Sequence, residues 1–179
     1  GVDLALAGKS IMSAMKRANP ESTWVIQAWQ VNPRPEMIDP LKPGDLLVLD
    51  LNSDSRPMSG GADWSEWYRK NGYGKHDWVF NMLLDFGGRT GLYGKFDQLI
   101  NTYYDAKAHV SSKRMKGVGA TMESIENNTM MYELLYELPW RTDKFDGDLW
   151  LKDYLTFRYG SFNNRLYKGW LALKNSIYN

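Results

Sequence analysis

Apolar positions along this chain follow two alternating rhythms, one with helical spacing and one continuous over five to eight residues. From Asp3 to about Ala18, Leu4, Ala7, Ile11, Ala14, Met15 and Ala18 fall on one side of a helix. Thr23 to Trp29, TWVIQAW, is β-branched and aromatic and predicts a strand. Pro33, Pro35, Pro40 and Pro43 break the next segment, leaving room for a short helix around Glu36 to Asp39. Leu46 to Leu51 is apolar except Asp50, which suits a strand buried on both faces. Trp78 to Leu84 is a third strand. Met115 to Met122, carrying Gly117 and Gly119, has the length and glycine content of a fourth, closely approached by other backbone.

The intervening segments have helical spacing. Phe96, Leu99, Ile100 and Tyr103 at i, i+3, i+4 and i+7 predict a helix over Tyr93 to Ala106. From Glu126, the residues Met130, Met131, Leu134, Leu135 and Leu138 predict another, ended by Pro139. Glu126 reads as its capping residue. After Trp140 the pattern is purely helical, over Asp148 to Tyr159 and Asn163 to Ile177, with Gly160 where a helix C-cap falls. Ser53 to Lys75 is long for a loop, rich in Gly, Ser and charge, and carries Trp64 and Trp67; such a loop is expected to be functional or mobile. Four strands separated by crossovers predict an α/β fold of parallel β/α units. The count alone leaves an open sheet and a closed barrel as alternatives.

Composition narrows the partners. The 179 residues suffice for one domain, and 22 basic against 21 acidic groups leave +1 with no basic block, which argues against nucleic acid. No apolar stretch approaches the roughly 18 residues that span a bilayer. The opening GVDLALAGKSIMSAMKRA is interrupted at Gly8, Lys9 and Ser10 and lacks a basic leader, so it reads as a helix rather than a signal peptide. With no initiator methionine, the sequence reads as starting at a processing or cleavage boundary. Zero cysteines exclude disulfides and thiolate metal sites. His76 and His109 lie far apart with no carboxylate cluster at ligand spacing, so no metal is expected. Gly87-Gly88 lacks the patterns of a phosphate loop, and no cofactor is expected. The 8 Trp and 11 Tyr suit either a sugar-stacking surface or ordinary core packing.

Glu123 is the candidate with chemistry. It follows an apolar strand and precedes an amphipathic helix, the position where α/β barrels keep catalytic groups. Read alone, it is equally a glutamate that satisfies the dipole of a helix N-terminus.

The stretch around Glu123 resembles the α-N-acetylglucosaminidases, glycoside hydrolase family 89. The shared pattern is Gly117, Gly119, Glu123, Ile125 and Asn128, then a helix ending Glu137, Leu138, Trp140. It extends across almost the whole chain. Ala18-Asn19-Pro20 with TWVIQAW, LLVLDL at Leu46 to Leu51, NMLLDFGG at Asn81 to Gly88 and Gly91-Leu92 all fall in the family's order. The resemblance implies the second half of a TIM (β/α)8 barrel over residues 1–140, followed by the start of an α-helical domain over 141–179. It implies a retaining exo-glycosidase cleaving terminal α-linked N-acetylglucosamine, which needs two carboxyl groups about 5–5.5 Å apart. Glu123 matches the nucleophile. Trp29, Leu51, Leu83 and Phe86 match positions around the terminal sugar. The general acid/base lies in family sequence upstream of this chain, so the partners expected are a glycan ending in α-GlcNAc and the remainder of the barrel. Without that remainder the segment is expected to be inactive. The strand-end carboxylates Asp50, Asp54 and Asp85 do not match the acid.

Family resemblance places relatives outside the bacterial cell, in the periplasm, or in the lysosome. Three residues depart from the family: Asp85 for a common Asn, Asn81 for a common Cys and Ser124 for a common Gly. A charged Asp85 is expected to repel Glu123. The alternatives are a non-catalytic carbohydrate-binding or scaffold module and an excised or designed half-barrel. Either half-barrel form would leave two strand edges unpaired.

Overall fold

A computed structural model describes residues 1–55, 67–69, 71–124 and 128–179. Trp64, Ile125 and Glu126, singled out from the sequence, lie outside the described residues. Four strands, β1 (Trp24–Ala28), β2 (Leu46–Asp50), β3 (Asp77–Leu84) and β4 (Met115–Met122), form one sheet. Their order is β1-β2-β3-β4 and every pairing is parallel. Sequential parallel pairing is the arrangement of a (β/α)8 barrel, here as four of its units. The β3–β4 register slips by one residue between Trp78 and Phe80, at Gly117.

Among the described residues six α-helices accompany the sheet: α1 (Leu4–Ala18), the single turn α2 (Pro35–Ile38), α3 (Phe96–Ala108), α4 (Thr129–Glu137), α5 (Gly147–Tyr159) and α6 (Asn164–Lys174). None is long and apolar enough to cross a membrane. Asp3 caps α1 by accepting from Leu6 N, and Asp146 and Asn163 cap α5 and α6 in the same way. Gly160 takes φ 79° to end α5, as expected of a helix C-cap.

The core lies on one face of the sheet. Leu46, Val48, Trp78, Phe80, Met82 and Leu84 are buried there against Phe96, Leu99, Ile100, Tyr103, Leu134 and Leu135. The opposite face carries Val25, Leu47, Leu49 and Val79, which are exposed or half-buried. The expectation that β2 is buried on both faces therefore holds for one face within this chain.

The β2–β3 crossover has no helix among its described residues. Aromatic side chains cover the strands instead. Trp67 is fully buried and stacks on Trp78 at 6.2 Å and 3°, and Tyr73 packs on the same indole at 6.1 Å. In the loop expected to be functional or mobile, Trp67 and Tyr73 are thus packed core, while Tyr68, Asn71, Gly74 and Lys75 are exposed. Seven of the 8 Trp and 11 Tyr residues have the same use: Trp67, Tyr73, Trp78, Tyr103, Trp150, Tyr154 and Tyr178 are all buried.

The helices after Trp140 pack on the β/α units. Trp150 lies 5.6 Å from the Phe96 ring, and its indole N–H donates to Glu137 at 2.6 Å. Lys174 is buried between Asp97 at 2.7 Å and Asp148 at 2.8 Å, joining α6 to α3 and α5. The Phe96 amide, at the start of α3, donates to the Tyr178 carbonyl at 2.8 Å.

Candidate active site

The C-terminal ends of the four strands meet at one rim, because parallel strands all run the same way. A cleft of about 470 Å³ opens there, lined among others by Trp29, Leu83, Asp85, Phe86, Arg89 and Tyr93. Trp29 ends the first strand through a tight turn in which its amide and that of Asn32 exchange hydrogen bonds of 3.0 and 3.1 Å. Gln30, inside that turn, adopts φ 57°. The turn stacks the Trp29 indole on Phe86 at 5.9 Å, giving the cleft a flat apolar wall. Of the other aromatic residues, Tyr93 also lines it.

Of the residues matched from sequence, Trp29, Leu83 and Phe86 line this cleft together. Leu51 does not. It is half-buried just below the rim, and its amide donates to the Ala28 carbonyl at 3.2 Å. Asn52, one residue on, is the lining residue from that strand end. Glu123 also stands outside the lining, exposed at the end of β4. Its Oε2 accepts from the Gly87 amide at 2.6 Å, immediately beside Phe86, so the carboxylate sits at the edge of the same site. Gly87 takes φ 71°, which a side chain would oppose.

The other strand-end carboxylates have structural partners. Asp50 accepts from the Tyr73 hydroxyl at 2.8 Å and from the Trp67 amide at 3.3 Å. Asp54 accepts from the Leu83 amide at 3.1 Å. The reason lies in strand length: β2 stops at Asp50 while β3 runs on to Leu84, leaving β3 amides without ladder partners. Ser53 Oγ and Asp54 Oδ1 supply those partners to Asn81 and Leu83. Burial pushes the Asp54 carboxyl up to about 7.

Asp85 is buried and adopts φ 55°. Its Oδ1 accepts from Asn128 Nδ2 at 2.8 Å and its Oδ2 from the Tyr132 hydroxyl at 2.9 Å. Burial, followed by the Asp85 hydrogen bond, raises the Tyr132 phenol. The Asp85 charge expected to face Glu123 is thus turned onto α4. Asn81, the second departure, is also tied down: its Nδ2 donates to the carbonyls of Asp50 and Val79 at 3.1 and 3.0 Å. Its Oδ1 lies so close to Gly119 that a Cβ there would clash. The close neighbour expected at the β4 glycines is therefore a side chain at Gly119, and at Gly117 nothing lies within 4 Å of where a Cβ would sit. At Ser124, the third departure, the carbonyl lies 3.5 Å from the Tyr132 hydroxyl, whose one proton goes to Asp85.

Asn128, Tyr132 and Tyr178 were not legible as site residues from spacing. Asn128 belongs to the family pattern and precedes α4, where an asparagine ordinarily caps the helix. Its side chain instead leaves the helix and joins the site.

Residues 1–142 match the family model described as the α-N-acetylglucosaminidase (NAGLU) TIM-barrel domain. The chain is 29% identical over 186 residues to the α-N-acetylglucosaminidase of Homo sapiens, covering 98% of this chain and 24% of that protein. A family 89 glycoside hydrolase from Clostridium perfringens matches with TM-score 0.86 at 30% identity, over 99% of this chain and 19% of that one. That structure holds the substrate GlcNAc-α-1,4-galactose in a variant with two glutamates replaced by glutamine. A complex of the Clostridium perfringens enzyme with PUGNAc matches with TM-score 0.84 at 31% identity, again over 99% of this chain and 19% of that one. The chain therefore spans about a quarter of the curated relative's length and about a fifth of the solved chains.

Proposed function

The chain belongs to the α-N-acetylglucosaminidase family, and from that membership we propose that it supplies the nucleophile and one wall of the sugar site of a retaining exo-glycosidase acting on terminal α-linked N-acetylglucosamine. The observation that carries this reading is the Glu123 carboxylate anchored to Gly87 at the rim of the Trp29–Phe86 cleft. An exposed carboxylate held by one backbone N–H keeps its second oxygen free for attack on an anomeric carbon. The stacked Trp29 and Phe86 present an apolar face on which a pyranose ring can lie.

The mechanism is double displacement. Glu123 attacks the anomeric carbon as the leaving oxygen takes a proton from a second carboxylic acid, giving a covalent glycosyl-Glu123 ester. Water, deprotonated by the same second group, then hydrolyses the ester. Asp50, Asp54 and Asp85 are engaged with groups of this chain. We assign the second carboxyl to the remaining barrel units. The two Glu→Gln replacements in the substrate complex of the Clostridium perfringens relative support a pair of glutamates. On this reading the 179 residues alone bind sugar and do not turn it over. Residues 141–179 begin the helical region that follows the barrel.

The test uses the protein that carries this chain together with the rest of its barrel. It is expected to release p-nitrophenol from the α-linked N-acetylglucosaminide, and Glu123→Gln to abolish release. Turnover by the Gln variant at the parent rate would remove Glu123 as the nucleophile.

A further inference from the structure

The Asn128 side chain beside the site is fully bonded. A side-chain amide has two donor hydrogens and two acceptor lone pairs. Here all four are used. Nδ2 donates to Asp85 Oδ1 at 2.8 Å and to the Gly91 carbonyl at 3.2 Å. Oδ1 accepts from the Tyr93 amide at 2.9 Å and from the Tyr178 hydroxyl at 3.1 Å. The donors and acceptors fix which way the amide points. Asn128 is buried and takes φ 63°, a left-handed conformation that asparagine tolerates better than most residues. Asp85, its partner, is left-handed as well.

These bonds form a connected path. It starts at Tyr178, which is itself buried, and passes through Asn128 to Asp85. Asp85 begins the turn over Phe86–Gly88, which is closed by the Gly88 amide donating to the Asp85 carbonyl at 3.0 Å. The amide of Gly87, inside that turn, holds the Glu123 carboxylate. Glu123 is thus fixed through its own carboxylate, and that fixing leads back to Asp85.

We propose that Asn128, locked by Tyr178 against Asp85, is a positioning residue that sets the aim of the Glu123 carboxylate, so that the end of the helical segment controls the nucleophile. The proposal rests on the reading of Glu123 given above. Asn128 and Tyr178 stand outside the cleft lining, and Asp85 turns its carboxylate onto Asn128 and Tyr132. They act by fixing the turn that presents the Gly87 N–H. Misplacing a nucleophile by a fraction of its reach lowers the rate of attack more than it lowers binding.

Tyr178→Phe removes one hydroxyl and keeps the ring, so it tests the path with the least disturbance of packing. In the protein carrying this chain and the rest of its barrel, kcat on the p-nitrophenyl α-N-acetylglucosaminide is expected to fall about tenfold, with KM changed by less than about twofold. The Gly87 amide should exchange with solvent faster. Asn128→Asp sets a carboxylate against that of Asp85 and should lower kcat further. Adding Asp85→Asn to that variant swaps donor and acceptor, and should recover much of the loss. A purely structural role would lower the melting temperature and leave kcat per folded molecule unchanged, which overturns the proposal. So does an unchanged Gly87 exchange rate in Tyr178→Phe, or a double variant no better than Asn128→Asp. A parent protein that hydrolyses no α-linked N-acetylglucosaminide overturns the glycosidase reading instead, while Gly87 exchange still judges the hydrogen-bonded path.

Discussion

At the scale of single residues, burial decides what each carboxylate does. Glu123 is exposed and can face a substrate, whereas Asp54 is sealed beneath the rim with its pKa raised to about 7 by burial. In the unfolded chain Asp54 ionises near 3.8, so between about pH 4 and 7 the folded state binds more protons than the unfolded one. The stability Asp54 contributes is whole below about pH 4 and lost as pH rises through about 7, an effect on the order of a few kcal/mol. Asp54→Asn keeps an oxygen for the Leu83 amide and removes the charge. Its melting temperature relative to the parent should therefore improve from pH 4.5 to pH 8. An equal difference at both pH values would show that Asp54 does not titrate in this window. Glu123 was legible in the sequence because its neighbours, Gly117 to Trp140, form a contiguous pattern. The Asn128–Tyr178 bond was not, because it spans 50 positions and no periodicity relates its ends.

At the scale of elements, sequence reading placed all four strands within a residue or two, because continuous apolar runs have few other places to go. The corrections lie at the ends. α3 begins at Phe96 rather than Tyr93, because the Tyr93 amide is taken by Asn128 and the Phe96 amide by Tyr178. α6 ends at Lys174 rather than Ile177, where the amides of both Ile177 and Tyr178 turn back onto the Leu173 carbonyl. Such ends are set by partners distant in sequence, which local propensity does not carry. The β3–β4 pair offers a direct test. Asn81 holds two backbone carbonyls and cannot swing away, so the methyl of Gly119→Ala has nowhere to go. Overpacking of this kind costs about 1–3 kcal/mol. Denaturant titration of Gly119→Ala should show that loss, and combining it with Asn81→Ala should return part of it. A single variant as stable as the parent would mean that the strands part more easily than their hydrogen bonds imply.

At the scale of the whole molecule, the chain is four consecutive units of a barrel with a helical cap folded against them. The parallel units were legible from the alternation of strand and helix patterns, but barrel closure rested on family resemblance, since strand count alone fits an open sheet. Among the described residues β1 and β4 each pair with one strand, and the face bearing Val25, Leu47, Leu49 and Val79 is incompletely covered. Unpaired edges beside an apolar face favour association. Light scattering of the isolated 179 residues should report species larger than one chain. A sharp monomer would show that the edges are protected without the other units. The saturated amide of Asn128 has a consequence for descent. With every donor and acceptor committed to a different residue, no single substitution there preserves the set, so change must come in pairs. Across an alignment of relatives, positions 128 and 178 should change together or stay fixed together, and a lineage that loses the tyrosine should show its compensation beside Glu123.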